Sequence, residues 1–273
     1  MNLRQVAIGI VALATPASLA AQYRAPRSAD YLFGADVWGA RALWVHPAGL
    51  GIVREASIMA EAMLERNAAD DFALAQFTFG FNSRGIGFGY RRDRFGDAGS
   101  GGVWRLGFGR AAGTLAFGAA ASLYPGDPRE ESLDLGIRFR VAAPLEIALA
   151  TENIGQPTVR DSALRFTAVG GAAWAPLGDL ARFNLEARAT DVVTGSWHMA
   201  YRAGLRVGAS GRIPFAAYGV LDLDDDLSVV RLVAGLSVGG YYQGVLMGSG
   251  AKRAGTTEIE TISLTGLASH RFP

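Results

Sequence analysis

The chain has 273 residues, 50% of them hydrophobic, and 26 Lys and Arg against 25 Asp and Glu, for a net charge of +1. Interspersed charges of both signs argue against a nucleic-acid partner, and the lack of cysteine excludes disulfides, thiol chemistry, thiolate metal sites and a cysteine-linked lipid anchor. Mean hydropathy is +0.19, yet past the N-terminus no stretch offers the ~18 apolar residues of a membrane helix.

Residues 1–21 read as a secretory signal. Arg4 supplies the positive end, Val6 to Leu13 the apolar core, Pro16 the break, and Ser18-Leu19-Ala20-Ala21 the small residues for cleavage. Residues 22–50 follow no period of two. Tyr31, Phe33, Val37, Trp38, Leu43, Trp44 and Val45 are too apolar to lie free in water. A short helix over 36–44 is expected, with Asp36 near its start, ending at the turn signal His46-Pro47-Ala48-Gly49-Leu50. Ahead of a barrel, such a segment has a place in the lumen as a plug; the alternative is a tail packed on the rim.

The clearest period lies in residues 130–154. Leu133, Leu135, Ile137, Phe139 and Val141 alternate with Asp134, Gly136, Arg138 and Arg140; Ala142-Ala143-Pro144 breaks the run, and Leu145, Ile147 and Leu149 resume it. This is a hairpin with one apolar and one charged face. The unit recurs, predicting about fourteen strands: 56–64, 72–81, 84–92, 103–110, 113–123, 132–142, 144–153, 163–174, 181–190, 198–209, 214–223, 227–238, 240–248 and 257–267. A strand of about ten residues, tilted ~45°, spans roughly 23 Å, close to the apolar band of an outer-membrane barrel. Connections after the even strands are short and those after the odd strands mostly longer and more polar, as in such barrels. Tyr90, Trp104, Tyr124, Trp174, Tyr201, Tyr241 and Tyr242 fall near strand ends, where an interfacial girdle belongs. The fold class expected is all-β: a transmembrane antiparallel up-and-down β-barrel of about 14 strands. Its parts are a signal peptide (1–21), an N-terminal plug or hatch segment (22–50) and the barrel (51–273).

The polar parity would line the lumen. It carries Arg138, Arg140, Glu146, Arg165, Arg182, Glu186, Arg188, Arg202 and Arg206, with Glu61, Arg91, Arg105, Asp134, Glu152, Asp222 and Arg231. Two readings stand: a lining that favours anions or the carboxylate head of an amphipathic ligand, or a ladder of Arg–carboxylate pairs that holds wall and plug together. Enzymatic chemistry is not expected. Ser196 and His198 share a strand face in the manner of outer-membrane phospholipases, in reversed order, with Asp191 nearby; nothing orients them as a triad. Asp222, Asp224, Asp225 and Asp226 lack the spacing of a calcium loop and read as a solvated outer loop, and three scattered histidines make no metal site. No cofactor is called for.

His46-Pro47-Ala48-Gly49-Leu50 resembles the Asn-Pro-Ala-Gly-Leu motif of the FadL-like and PorV/PorQ-like outer-membrane barrels, with His46 where that motif has Asn. Glu152-Asn153-Ile154-Gly155-Gln156-Pro157 resembles an Asn-Leu-Gly-x-Pro segment of the PorV-like group, and Phe272 resembles the terminal aromatic of barrels of this kind. The resemblance implies a plugged barrel of the bacterial outer membrane, in contact with its lipid. It would pass hydrophobic or amphipathic small molecules such as fatty acids or, alternatively, serve with secretion-system proteins as a component or scaffold.

Overall fold

In a computed structural model, residues 31–67, 70–94, 100–159, 162–192, 195–209, 213–240 and 244–272 are described. The strands are β1 (Glu55–Arg66), β2 (Phe72–Ser83), β3 (Ile86–Arg94), β4 (Ser100–Ala112), β5 (Leu115–Tyr124), β6 (Glu130–Ala142), β7 (Leu145–Ile154), β8 (Thr158–Val159), β9 (Ser162–Ala163), β10 (Thr167–Trp174), β11 (Ala181–Asp191), β12 (Trp197–Ala209), β13 (Phe215–Leu223), β14 (Val229–Val238), β15 (Val245–Arg253) and β16 (Thr261–Arg271). Fourteen of these close into one barrel of antiparallel neighbours; β8 and β9 form a separate ribbon within the β7–β10 connection. β1 and β16 seal the barrel in unbroken register from Glu55 opposite Arg271 to Glu65 opposite Thr261. Closure leaves no free strand edge.

The barrel has the polarity of burial reversed relative to a soluble protein. Ile58, Phe77, Phe88, Leu106, Phe117, Ile137, Phe139, Leu149, Leu185, Leu236 and Leu264 point outward and stay exposed, while Glu61, Arg91, Arg105, Asp134, Arg138 and Glu186 point inward and are buried. Large apolar side chains each lose ~1.5–3 kcal/mol when left in water, and a belt of this extent needs an apolar surrounding. No described helix is long and apolar enough to cross a membrane.

Two-residue turns at 84–85, 113–114 and 143–144 join strands at one end, together with connections 175–180, 210–214 and 239–244. At the other end every connection has five residues or more: 67–71, 95–99, 125–129, 155–166, 192–196, 224–228 and 254–260. Arg84 and Gly85 take positive φ (52° and 91°), the backbone that so tight a turn demands.

Four expected elements depart most from their expected bounds. The strand expected at 240–248 lies at 245–253 and the next at 261–271 rather than 257–267. Gly239, expected as the connection, and Gly244, expected as strand, both take positive φ (109° and 98°), so the strand starts only after Gly244. Ser249, Gly250 and Lys252, read as loop for their polarity, are strand residues, with Ser249 facing inward. The strand expected from 163 begins at Thr167, because the chain before it pairs into β8–β9. The helix expected over 36–44 is instead one 3-10 turn, Gly39–Arg41, running into a single α-helical turn, α1 (Ala42–Val45).

Candidate functional site: the barrel lumen

Alternation on each strand delivers the charged side chains to the lumen, and there they pair. Arg105 bonds Asp134, Arg138 bonds Glu146, and Arg188 bonds Glu152. Arg188 also reaches Glu186 at 3.3 Å, and Arg202 reaches Glu186 at 3.7 Å and Asp222 at 2.9 Å. Arg231 stands 3.8 Å from Asp222, and Arg91 stands 3.2 Å from Asp93. Of the expected lumen set, Arg138, Glu146, Arg182, Glu186, Arg188 and Arg202 join this network or its extension to the N-terminal segment. Arg206 is half-buried beside Arg182 in the ladder. Two depart from expectation. Arg140 lies at the short-turn mouth, with its side chain 54% exposed, because β6 ends two residues later. Arg165 lies in the 155–166 connection, before β10 begins.

Residues 31–51 run inside this wall. Arg182 bonds the carboxylate of Asp36. Arg138 donates to the Val37 carbonyl and Arg202 to the Leu32 carbonyl at 3.0 Å. Glu186 accepts from the Gly34 N–H at 3.0 Å, and Ser57 from the Ala40 N–H at 2.9 Å. The Tyr31 hydroxyl bonds Thr265 of β16 at 3.1 Å, its ring lies 5.1 Å from that of Tyr218, and Thr265 in turn donates to Glu61. The network therefore ties the segment's own peptide groups, which would otherwise be buried without partners.

Apolar packing holds it too. Phe33 packs with Val220, Val233 and Ala251 under the Arg202 guanidinium, 4.9 Å away. Trp44 lies beneath Arg91 and Arg105, at 5.6 and 5.9 Å. Inner-wall glycines make the room. A Cβ at Gly89 would stand 2.7 Å from the Trp44 ring, one at Gly107 2.6 Å from Leu43, and one at Gly136 2.7 Å from the His46 ring.

The motif 46–50 is the tightest part. Pro47 opens a 3-10 turn, Pro47–Gly51, and all of 47–50 is buried. Gly49 has no space for a side chain: a Cβ would meet the Val37 carbonyl oxygen at 2.5 Å and Ala42 at 2.7 Å. Leu50 fills the space over Gly87 and Gly107. His46 Nε2 donates to the Leu149 carbonyl at 3.0 Å, which fixes the neutral tautomer with a proton on Nε2, and Nδ1 is buried without a partner. Burial, then the nearby Arg138 guanidinium, push this imidazole down to about 4.

Sequence reasoning missed the segment's polar contributions. Asp36 pairs with Arg182 rather than starting a helix, and Arg41 reaches the Met247 sulfur at 3.6 Å. Only the parity rule applied to residues 31–51 could have found them, and the segment has no parity. Tyr124, expected in an outer girdle, points into the lumen core, whereas Tyr90 and Trp104 stack on the outside at 4.4 Å and Trp174 packs on Phe183. Tyr241 and Tyr242 lie outside the described residues, as do 1–21 and 22–30. At the long-connection rim the nearest carboxylate to His198 is Asp225, 4.0 Å away and solvent-exposed, rather than Asp191. Asp224 caps its own turn, accepting from the Asp226 and Ser228 N–H groups, and Asp222 belongs to the lumen network. Among the described residues no group of acidic, His or Cys side chains could hold a metal ion.

No protein-family profile matches the chain, and no curated protein sequence does. Solved structures do. The CymD monoaromatic hydrocarbon channel aligns with a TM-score of 0.56 at 10% identity, over 87% of this chain and 94% of its own. The toluene transporter TodX of Pseudomonas putida aligns at 0.53 and 10% identity, over 91% and 96%. At such identity the likeness is one of fold: this chain shares the closed antiparallel barrel of these channels.

Proposed function

We propose that this protein is an outer-membrane barrel that passes small hydrophobic or amphipathic molecules, with residues 31–51 as its plug. The observation that carries the reading is the lodging of that segment across the lumen of a barrel whose outer face is apolar. The two barrels it resembles most usefully, CymD and TodX, are described as a monoaromatic hydrocarbon channel and a toluene transporter. Their fold likeness supports a channel and leaves the cargo to experiment. The lumenal arginines favour the pairing-ladder reading over an anion-selective lining, since each of Arg105, Arg138, Arg188 and Arg202 already holds a carboxylate.

The test is flux through purified protein in liposomes and planar bilayers, with toluene and hexanoate as solutes, for the intact chain and a variant lacking residues 31–45. A barrel that is closed to ions, passes either solute, and conducts ions once truncated supports the plugged channel. The same paired charges favour one second reading, a sealed scaffold. Absence of flux from both proteins, with the barrel assembled, selects it.

A further inference from the structure

At the short-turn end a hollow of about 790 Å³ is bounded by Ile52, Val53, Arg54, Arg140, Arg271 and Phe272. Residues 52–54 form the strap that leads from the Pro47–Gly51 turn to β1. Arg140 shares the parity of Asp134 and Arg138, and Arg271 that of Thr261, Ser263 and Thr265, so both follow inward-facing rows to the mouth. β6 and β16 lie far apart around the wall, and their two guanidinium groups approach the hollow from different sides. The Arg84 guanidinium covers the Phe272 ring at 4.4 Å.

These arginines differ from those deeper in the lumen. Among the described residues Arg54 and Arg271 have no carboxylate within ion-pair distance. Arg140 reaches only Glu146 at 3.5 Å, which is already bonded to Arg138. Charge differs between the two ends. Exposed Arg54, Arg84, Arg110, Arg140 and Arg271 ring the short-turn end against exposed Asp179, whereas at the other end exposed Asp70, Asp71, Asp127, Glu131, Asp225, Asp226 and Glu258 outnumber exposed Arg92, Arg94, Arg129 and Arg253.

We infer that this mouth binds the carboxylate of a small amphipathic acid, aliphatic or aromatic, whose hydrocarbon part rests on Ile52, Val53 and Phe272. A guanidinium fork matches a carboxylate in geometry and charge. The hollow falls in the ~300–1,000 Å³ range of small-molecule sites. Its apolar half gives a hydrocarbon tail somewhere to lie, which an inorganic anion would not use. Arg140 and Arg271 face the mouth rather than the lipid, which sets the site apart from a phospholipid headgroup contact. The inference rests on the channel reading only for how such an acid reaches the mouth; binding itself needs no open lumen.

The experiment is calorimetric titration of 3-phenylpropanoate and its neutral analogue 3-phenylpropan-1-ol into the full chain in nanodiscs, with empty nanodiscs subtracted. The acid is expected to bind at least tenfold more tightly than the alcohol and to weaken as salt rises. R54Q/R271Q, and separately R140Q, should each lose tenfold or more, while R253Q at the opposite rim should leave binding unchanged. Heat-modifiable migration on gels shows that each barrel has assembled. Equal affinity for acid and alcohol, unchanged affinity in both mouth variants, or no binding beyond empty nanodiscs would each overturn the inference. Toluene flux on the same preparations separates the two readings. Flux without acid binding sinks this site alone, and acid binding without flux sinks the channel alone.

Discussion

Arg138 on β6 donates one guanidinium N–H to the backbone carbonyl of Val37 and another to Glu146, so a single wall residue holds both the N-terminal segment and the neighbouring strand. Its side chain is 4% exposed. Replacing it with Leu leaves the Val37 carbonyl without this donor and Glu146 with only the more distant Arg140. Breaking one partner of a buried pair costs ~3–5 kcal/mol. The expected outcome is a lower unfolding temperature and intermittent ion conductance, read by heat-modifiable migration and by single-channel recording. Unchanged stability and a silent bilayer would show that the segment is held elsewhere.

Gly136 tests the seat of the motif. A Cβ there would stand 2.7 Å from His46 Cε1, and a branched side chain has no room. Gly136→Val is expected to cost about 1–3 kcal/mol through overpacking and to displace residues 46–50. Increased protease cleavage before Arg54 in the folded barrel is the readout. Gly113→Val, at a turn where nothing lies within 4 Å of an added Cβ, is a poor control because of its positive φ (62°). Gly266→Ala is a better one, with open space and ordinary backbone.

His46 predicts an acid-sensitive seat. The group lies ahead of the first strand, and its folded value, about 4, is below the ordinary 6.5. A base whose folded value is depressed binds its proton more readily once released. Stability of the seated segment is therefore full above pH 6.5 and declines as pH falls towards 4. Arg138 and Glu186 are the charged groups facing it. Protease protection of residues 31–51 should fall over that window in the native protein and stay flat in His46→Gln.

The outer face predicts a cost that depends on the surrounding medium. Leu135 points outward and is 44% exposed, while Asp134 beside it is buried against Arg105. Leu135→Arg should destabilise the barrel in bilayers by ~2–4 kcal/mol near the midplane, and by less in detergent micelles, whose thin and mobile tails let the guanidinium reach water. Equal effects in both media would argue that this face does not meet lipid.

The barrel itself was legible in the sequence because its physics is local. Alternation fixes which face of each strand is apolar, and in the 130–154 hairpin Leu135, Ile137 and Phe139 stand outside while Asp134 and Arg138 stand inside, as the period of two requires. Fourteen barrel strands follow from that period and from the turns between them. Where the period weakened, boundaries slipped. Polarity alone points Ser249 to a loop, but the inward face gives it a place in the strand, and Lys252 sits at the rim with its ammonium donating to the Thr256 carbonyl. What the sequence could not decide is partnership. Arg182 could pair within its own strand or across the lumen, and only the closed wall brings Asp36 to it. Gly107 and Gly136 belong to no motif, and their need for a bare backbone appears only when Leu43 and His46 are laid against them. Local alternation determined the wall. Long-range closure decided what the wall holds, because contacts across a lumen depend on curvature and register that no neighbouring residue encodes.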